Sequence, residues 1–231
     1  MKKEDFKALI IAFLLILLES GSYFLCKLSP IPRTLLTSSF DDKLPFVPFF
    51  VCFYFLWYLF LLIIPFVLYK HEKKYLVRYA SIDIICVIIA SLIFIFFPTL
   101  IIRNVDVNNY KTIFIYPVKF IYFTDTPDLC CLPSMHCAMS FIFMYTALKI
   151  KEMKWYYKAL IIFASFGIIA STLLIKQHVI WDVYAAIAVV VLSILLDRYT
   201  KVGEYFRNKV EELDKYIDKK VSKTKLGSKL K

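Results

Sequence analysis

Two histidines, one acid and a few cations carry the chemistry to be expected of this chain. His178 and Asp182 stand four residues apart, a spacing that puts both side chains on one face of a helix. A carboxylate placed there accepts the proton of one imidazole nitrogen, fixes the tautomer and leaves the other nitrogen free as a nucleophile. His136 follows Pro133-Ser134-Met135, a run that reads as a helix start. A second histidine in that first turn can give or take a proton. Arg103, Lys176 and the N–H groups around residues 133–136 can hold an anion, and Ser134, Ser171 and Thr172 stand beside them as further phosphate-binding candidates. Taken singly, each cluster has a bland account: a helix cap, a helix start, an interfacial lysine. All of them fall at the ends of apolar segments on one side, and together they describe a phosphoryl-transfer site. His71, in a lysine-rich turn, reads as a bystander.

The elements that must position these groups are read from the apolar pattern. Hydrophobic residues make up 60% of the 231 positions, aromatics 18%, and the mean hydropathy is +0.67. That excess excludes a disordered chain, a collagen-like repeat and a small disulfide scaffold, and it points away from a soluble domain toward a polytopic membrane protein. Only four glycines leave little material for the turns of a membrane β-barrel. Six apolar segments, at 6–24, 45–69, 75–102, 133–150, 155–175 and 179–199, are each near the length of about 20 residues that spans hydrocarbon as helix. The expected fold is therefore an all-α integral membrane protein of six transmembrane helices. Residues 1–44 hold the first span and a loop, 45–200 the catalytic bundle and 201–231 a basic tail. The start, Met1-Lys2-Lys3 before an apolar run, mimics a signal peptide. Glu19 and Ser20 lead into Tyr23 and Phe24 without a small-residue cleavage site, so the segment reads as a retained span.

Charge orients the bundle. The net charge is +11. Residues 1–7, 70–78, 149–158 and 197–231 hold 22 of the 29 lysines and arginines, and the opposite loops hold seven. The positive-inside rule then places both termini in the cytoplasm and the histidines at the external face of the cell membrane. In the tail, Val202, Phe206, Val210, Leu213, Ile217 and Val221 recur at helical spacing among lysines. This is the pattern of an amphipathic helix resting on anionic lipid or on its own bundle, and no nucleic-acid partner is expected. Glu19 and Asp83 sit inside apolar runs and read as interfacial acids, with Asp83 five residues from Arg78 as its partner. The six cysteines, Cys130 and Cys131 included, show no metal-ligand spacing. No metal and no cofactor is expected.

The run Pro133-Ser134-x-His136, followed by Ser171-Thr172-x5-His178-x3-Asp182, resembles the type 2 phosphatidic acid phosphatase superfamily, whose pattern is Lys-x6-Arg-Pro, Pro-Ser-Gly-His and Ser-Arg-x5-His-x3-Asp. The likeness extends over roughly residues 45–200, and Lys176-Gln177-His178 is similar to the branch of inositolphosphoryl- and phosphocholine-transferring lipid synthases. It implies in-line attack by His178 on phosphorus, orientation of His178 by Asp182, a phosphohistidine, and protonation of the leaving oxygen by His136. It also implies a lipid phosphate or pyrophosphate as substrate, with water as acceptor in a phosphatase or a lipid hydroxyl in a transferase. A lipid-phosphate binder or transporter without catalysis is the other alternative. Phe96 stands where the family has its lysine, Asn104 for its proline, Met135 for its glycine and Thr172 for its arginine. Lys176, expected in a turn just before the last span, is the nearest substitute for the missing cations. The oligomeric state is left open.

Overall fold

The computed structural model describes residues 3–26, 29–126 and 131–222; Met1, Lys2, Cys130 and residues 223–231 of the expected tail lie outside them. In chain order the helices are α1 (Lys3–Cys26), α2 (Ser39–Lys43), α3 (Val51–His71), α4 (Lys73–Phe96), α5 (Ile115–Thr124), α6 (Met135–Lys149), α7 (Trp155–Leu174), α8 (Ile180–Tyr199) and α9 (Lys201–Ser222). Among the described residues the strands are one short parallel pair, β1 (Thr34–Leu35) against β2 (Thr99–Leu100). The architecture is that of an all-α membrane protein.

Five stretches, Glu4–Phe24, Pro48–His71, Lys73–Phe96, Trp155–Leu174 and Ile180–Tyr199, are helices long and apolar enough to cross a membrane. The fourth of the six expected spans differs. At 15 residues, α6 reaches roughly 22 Å, short of a hydrocarbon core of about 30 Å. Its apolar residues also serve the interior: Cys137, Ala138, Met139, Ile142 and Phe143 are wholly buried, with α3, α4, α7 and α8 packed around them. A helix apolar on every side is the centre of a bundle. The third expected span also ends early, at Phe96 rather than near residue 102. Pro98 disfavours helical geometry at the residue before it, and Thr99 instead enters the short pairing with Thr34.

The two acids inside apolar runs are buried in the bundle, and Asp83 is not paired with Arg78. Glu19 on α1 and Asp83 on α4 are buried beside each other, while Arg78 turns to Asp197 at 3.2 Å. Asp83 shares the interior face of α4 with Tyr79, Ile82 and Cys86, so its side chain cannot follow Arg78 outward. The tail takes the second of its two expected seats, its own bundle. Val210, Ile217 and Val221 are buried, and α9 packs on α1, α4 and α8. Polar anchors fix it: Lys7 and Lys73 reach Asp214 at 3.0 and 2.6 Å, and Arg207 reaches Asp197 at 2.7 Å.

Candidate active site

The site forms where α3, α6 and α8 begin and α4 and α7 end. Between α7 and α8 the chain makes a tight turn, with Gln177 N–H and His178 N–H both donating to the Thr172 carbonyl at 2.9 and 3.1 Å. Asp182, in the first turn of α8 and wholly buried, accepts from the Val179 N–H at 3.0 Å and meets His178 Nδ1 at 2.9 Å through the same Oδ2 atom. The acid therefore caps its own helix and orients the imidazole, leaving Nε2 for chemistry. Asp41 of α2 assists from outside the turn, both its carboxylate oxygens taking the Ile180 N–H at 3.1 Å.

Lys176 lies in this turn, ahead of α8, with φ of +56°. A left-handed lysine needs a compensating contact, and its ammonium supplies two, donating to the carbonyls of Asp41 and Leu44 at 2.7 Å each. Its charge is thereby held on the 41–44 loop. Burial lowers its pKa, and the nearby Asp41 and Asp42 carboxylates act in the opposite sense.

His136 packs against two rings of α3, stacked on Tyr54 at 4.2 Å and tilted by 33° against Trp57 at 4.1 Å between ring centres. Its ring centre is 6.2 Å from that of His178, close enough for both to touch one phosphoryl group. His136 Nε2 is buried and has no hydrogen-bond partner. Beside them Gln177 Oε1 accepts from Arg103 at 3.1 Å, while Gln177 Nε2 is buried and unmatched. Arg103 also meets Asp125 at 3.4 Å and lies over the Tyr122 ring at 4.0 Å. Tyr23 of α1 in turn donates to Asp125.

A cavity of about 560 Å³ opens against this group, with His136, Gln177 and His178 on its wall together with Tyr54, Trp57 and Tyr58. Arg103 stands behind Gln177 rather than on that wall. The three hydroxyl candidates are turned away from it. Ser134 caps α6 by accepting from the Cys137 N–H at 3.3 Å, Ser171 donates to the Ile168 carbonyl at 2.6 Å, and Thr172 donates to the Ile169 carbonyl at 2.8 Å. Ser134 N–H also donates to the Asp182 carbonyl at 3.2 Å, which ties the first turns of α6 and α8 together. The structure thus brings His178, Asp182 and His136 together and puts Arg103 one residue removed. Tyr54, Trp57, Gln177, Asp125 and Asp41 are additions that the motifs did not single out. Gln177 alone had a signal, its place beside His178; the others come from segments distant in sequence.

No curated protein and no solved structure matches the chain. Residues 109–202 match the family model described as PAP2 superfamily, in agreement with the motifs. The stretch that holds His136, His178 and Asp182 is thus the part of the chain that is similar to the PAP2 superfamily.

Proposed function

We propose that the chain is a membrane lipid phosphatase that hydrolyses a lipid phosphate or pyrophosphate at the external face of the cell membrane through a phosphohistidine on His178. The observation that carries this reading is the pairing of His178 with buried Asp182 at 2.9 Å, with the His136 ring on the same cavity wall. Nε2 of His178 attacks phosphorus in line; the ester oxygen leaves with its electron pair and takes a proton from His136. His136 then accepts a proton from the incoming water, which displaces His178. Gln177 Nε2 and Arg103 behind it steady the developing charge. The lipid substrate and the surrounding membrane lipids are the partners. The external placement follows from the cation distribution along the chain.

His178→Ala tests the reading: turnover of lipid phosphates and an acid-labile phosphoenzyme should both vanish while the protein stays folded in detergent. Near-normal turnover would overturn it. A second reading, transfer of a phosphorylated head group to a lipid hydroxyl, is favoured by one observation. Lys176 is held on the 41–44 loop and Arg103 is shared with Asp125, so little positive charge faces phosphorus for a dianionic monoester.

A further inference from the structure

Helix α5 is too short to be a span, yet two opposite faces of it are apolar. One face is spent on the bundle. Ile115, Val118 and Ile121 are buried against Val51 and Tyr54 in the first turn of α3 and Ile175 at the end of α7. The Tyr122 hydroxyl donates to the Ile175 carbonyl at 2.8 Å. The other face is open. Ile113, in the turn that leads into α5, and Tyr116, Phe120 and Phe123 recur every three or four residues, which is one stripe along a helix. They are 75, 70, 60 and 82% exposed. Large apolar side chains set in a row at such exposures mark a contact surface.

The depth of α5 in the molecule says what that surface meets. Val51 and Ile175 stand at the ends of two spans, so α5 lies at the level where those helices leave the hydrocarbon, the level at which aromatic side chains collect. The stripe is also continuous with the flank of a span. Phe120 shares the rim of the aromatic cavity with Phe55 and Tyr58 of α3, and both of these are exposed on a helix long and apolar enough to cross a membrane. Water lies along the other edge of the stripe. There Lys119, between the stripe and the buried face, donates to Asn108 at 2.8 Å, and Asn108 and Asn109 are exposed. The four stripe residues hold no charge, and the Tyr116 hydroxyl is their one hydrogen-bonding group. A protein interface carries a polar rim and about one hydrogen bond per 100–200 Å²; this surface matches lipid better.

We propose that α5 is an interfacial helix whose aromatic stripe lies in the lipid leaflet on the side of His136 and His178, and that it holds the mouth of the aromatic cavity level with the lipid head groups. The stripe enters the leaflet by roughly 5–10 Å, as the apolar face of an interfacial helix does, and Lys119 stays at the water edge. Phe120 belongs both to the stripe and to the cavity rim, so the depth of one sets the depth of the other. A phosphate then reaches His178 while the tails of its lipid stay in the leaflet. The buried face of α5, locked on α3 and α7, transmits that depth to the site. The contact with lipid stands on the stripe alone; its effect on turnover rests on the reaction proposed above.

The test places the full chain in phosphatidylcholine vesicles and adds one tryptophan at a time: Tyr116→Trp and Phe123→Trp on the stripe, and Asn109→Trp as the exposed polar reference. Emission from the chain's own three tryptophans is subtracted with the parent protein. The added emission of both stripe variants should be quenched at least about twofold more by phosphatidylcholine brominated on its acyl chains than by aqueous iodide, and that of Asn109→Trp in the reverse order. Iodide quenching of the stripe equal to that of Asn109→Trp overturns the lipid contact. Protection from both quenchers overturns it too, in favour of a second copy of the chain. For the cavity mouth, the double variant Tyr116→Asp, Phe123→Asp changes two residues that are not on the cavity wall. It should turn over a long-chain lipid phosphate in vesicles about tenfold more slowly than the parent, and a short-chain lipid phosphate dispersed as monomers at the parent's rate. Unchanged turnover in vesicles, or equal losses on both substrates, overturns the role at the mouth. No turnover of either substrate by the folded parent overturns the phosphatase and leaves the lipid contact to the quenching result.

Discussion

At the scale of single residues, the proposed reaction divides the site into groups that would touch phosphorus and groups that hold those in place. Gln177 presents an unmatched buried Nε2 to the cavity, so Gln177→Leu should lower kcat by roughly 10²–10³, as losing one transition-state donor does, with little change in melting temperature. Lys176 should behave differently. Its ammonium joins the 41–44 loop to the turn that carries His178, so Lys176→Ala should lower kcat and melting temperature together. Measuring both quantities on both variants separates donor from brace, and a stable, inactive Lys176→Ala would return that lysine to the phosphate. Trp57 is a positioning residue, because it meets the His136 ring rather than the cavity's contents alone. Trp57→Leu should lower kcat about tenfold with a smaller effect on KM and displace one limb of the pH–rate profile, while Trp57→Phe restores most of the rate.

At the scale of elements, the join between α8 and α9 is the tightest. A Cβ on Gly203 would run into the backbone of Asp197, and Asp197 itself is buried with Arg78 and Arg207 on its two oxygens. Ser81 of α4 donates to the Gly203 carbonyl at 3.4 Å. Gly203→Ala should therefore lift the start of α9 from the bundle, exposing Val210, Ile217 and Val221, and cost on the order of 1–3 kcal/mol. Faster proteolysis of the 201–222 segment, with the remaining bundle intact, is the expected result; an unchanged cleavage pattern would mean that α9 is not held there. Segment boundaries were largely legible in the sequence, because apolar runs long enough to cross hydrocarbon can form little else. The end of α4 was the exception, at Phe96 rather than near residue 102. α6 keeps its expected bounds closely, and its central place follows from how many neighbours surround it, which a linear pattern does not record.

At the scale of the whole molecule, the cation distribution and the site's location make one prediction. Cysteine labelling in intact cells should find position 108 accessible from outside and position 151 only after permeabilisation, since Asn108 lies in the segment near the histidine end and Lys151 in the lysine-rich turn at the other. Labelling of both from one side would remove the external placement of the reaction. The same map bears on α6, because Asn108 and Lys151 flank it in sequence.

The sequence by itself determined the helical, membrane-spanning class and the trio of His136, His178 and Asp182. Hydrophobic length is a local property, and the i,i+4 spacing of His178 and Asp182 imposes a shared helix face whatever surrounds it. Tertiary structure alone decided where each charge is spent. Lys176 looked like a phosphate ligand until Asp41 and Leu44, more than 130 residues away, took its ammonium. Asp83 looked like the partner of Arg78 until the packing of α1 on α4 set it beside Glu19. Arg103 kept its place near the site but reaches it only through its hydrogen bond to Gln177. A side chain's partners are set by which helices meet, and hydrogen bonds between residues so distant in the chain leave no spacing to read. The aromatic cavity at His178 forms where α1, α3, α5 and α6 close around it.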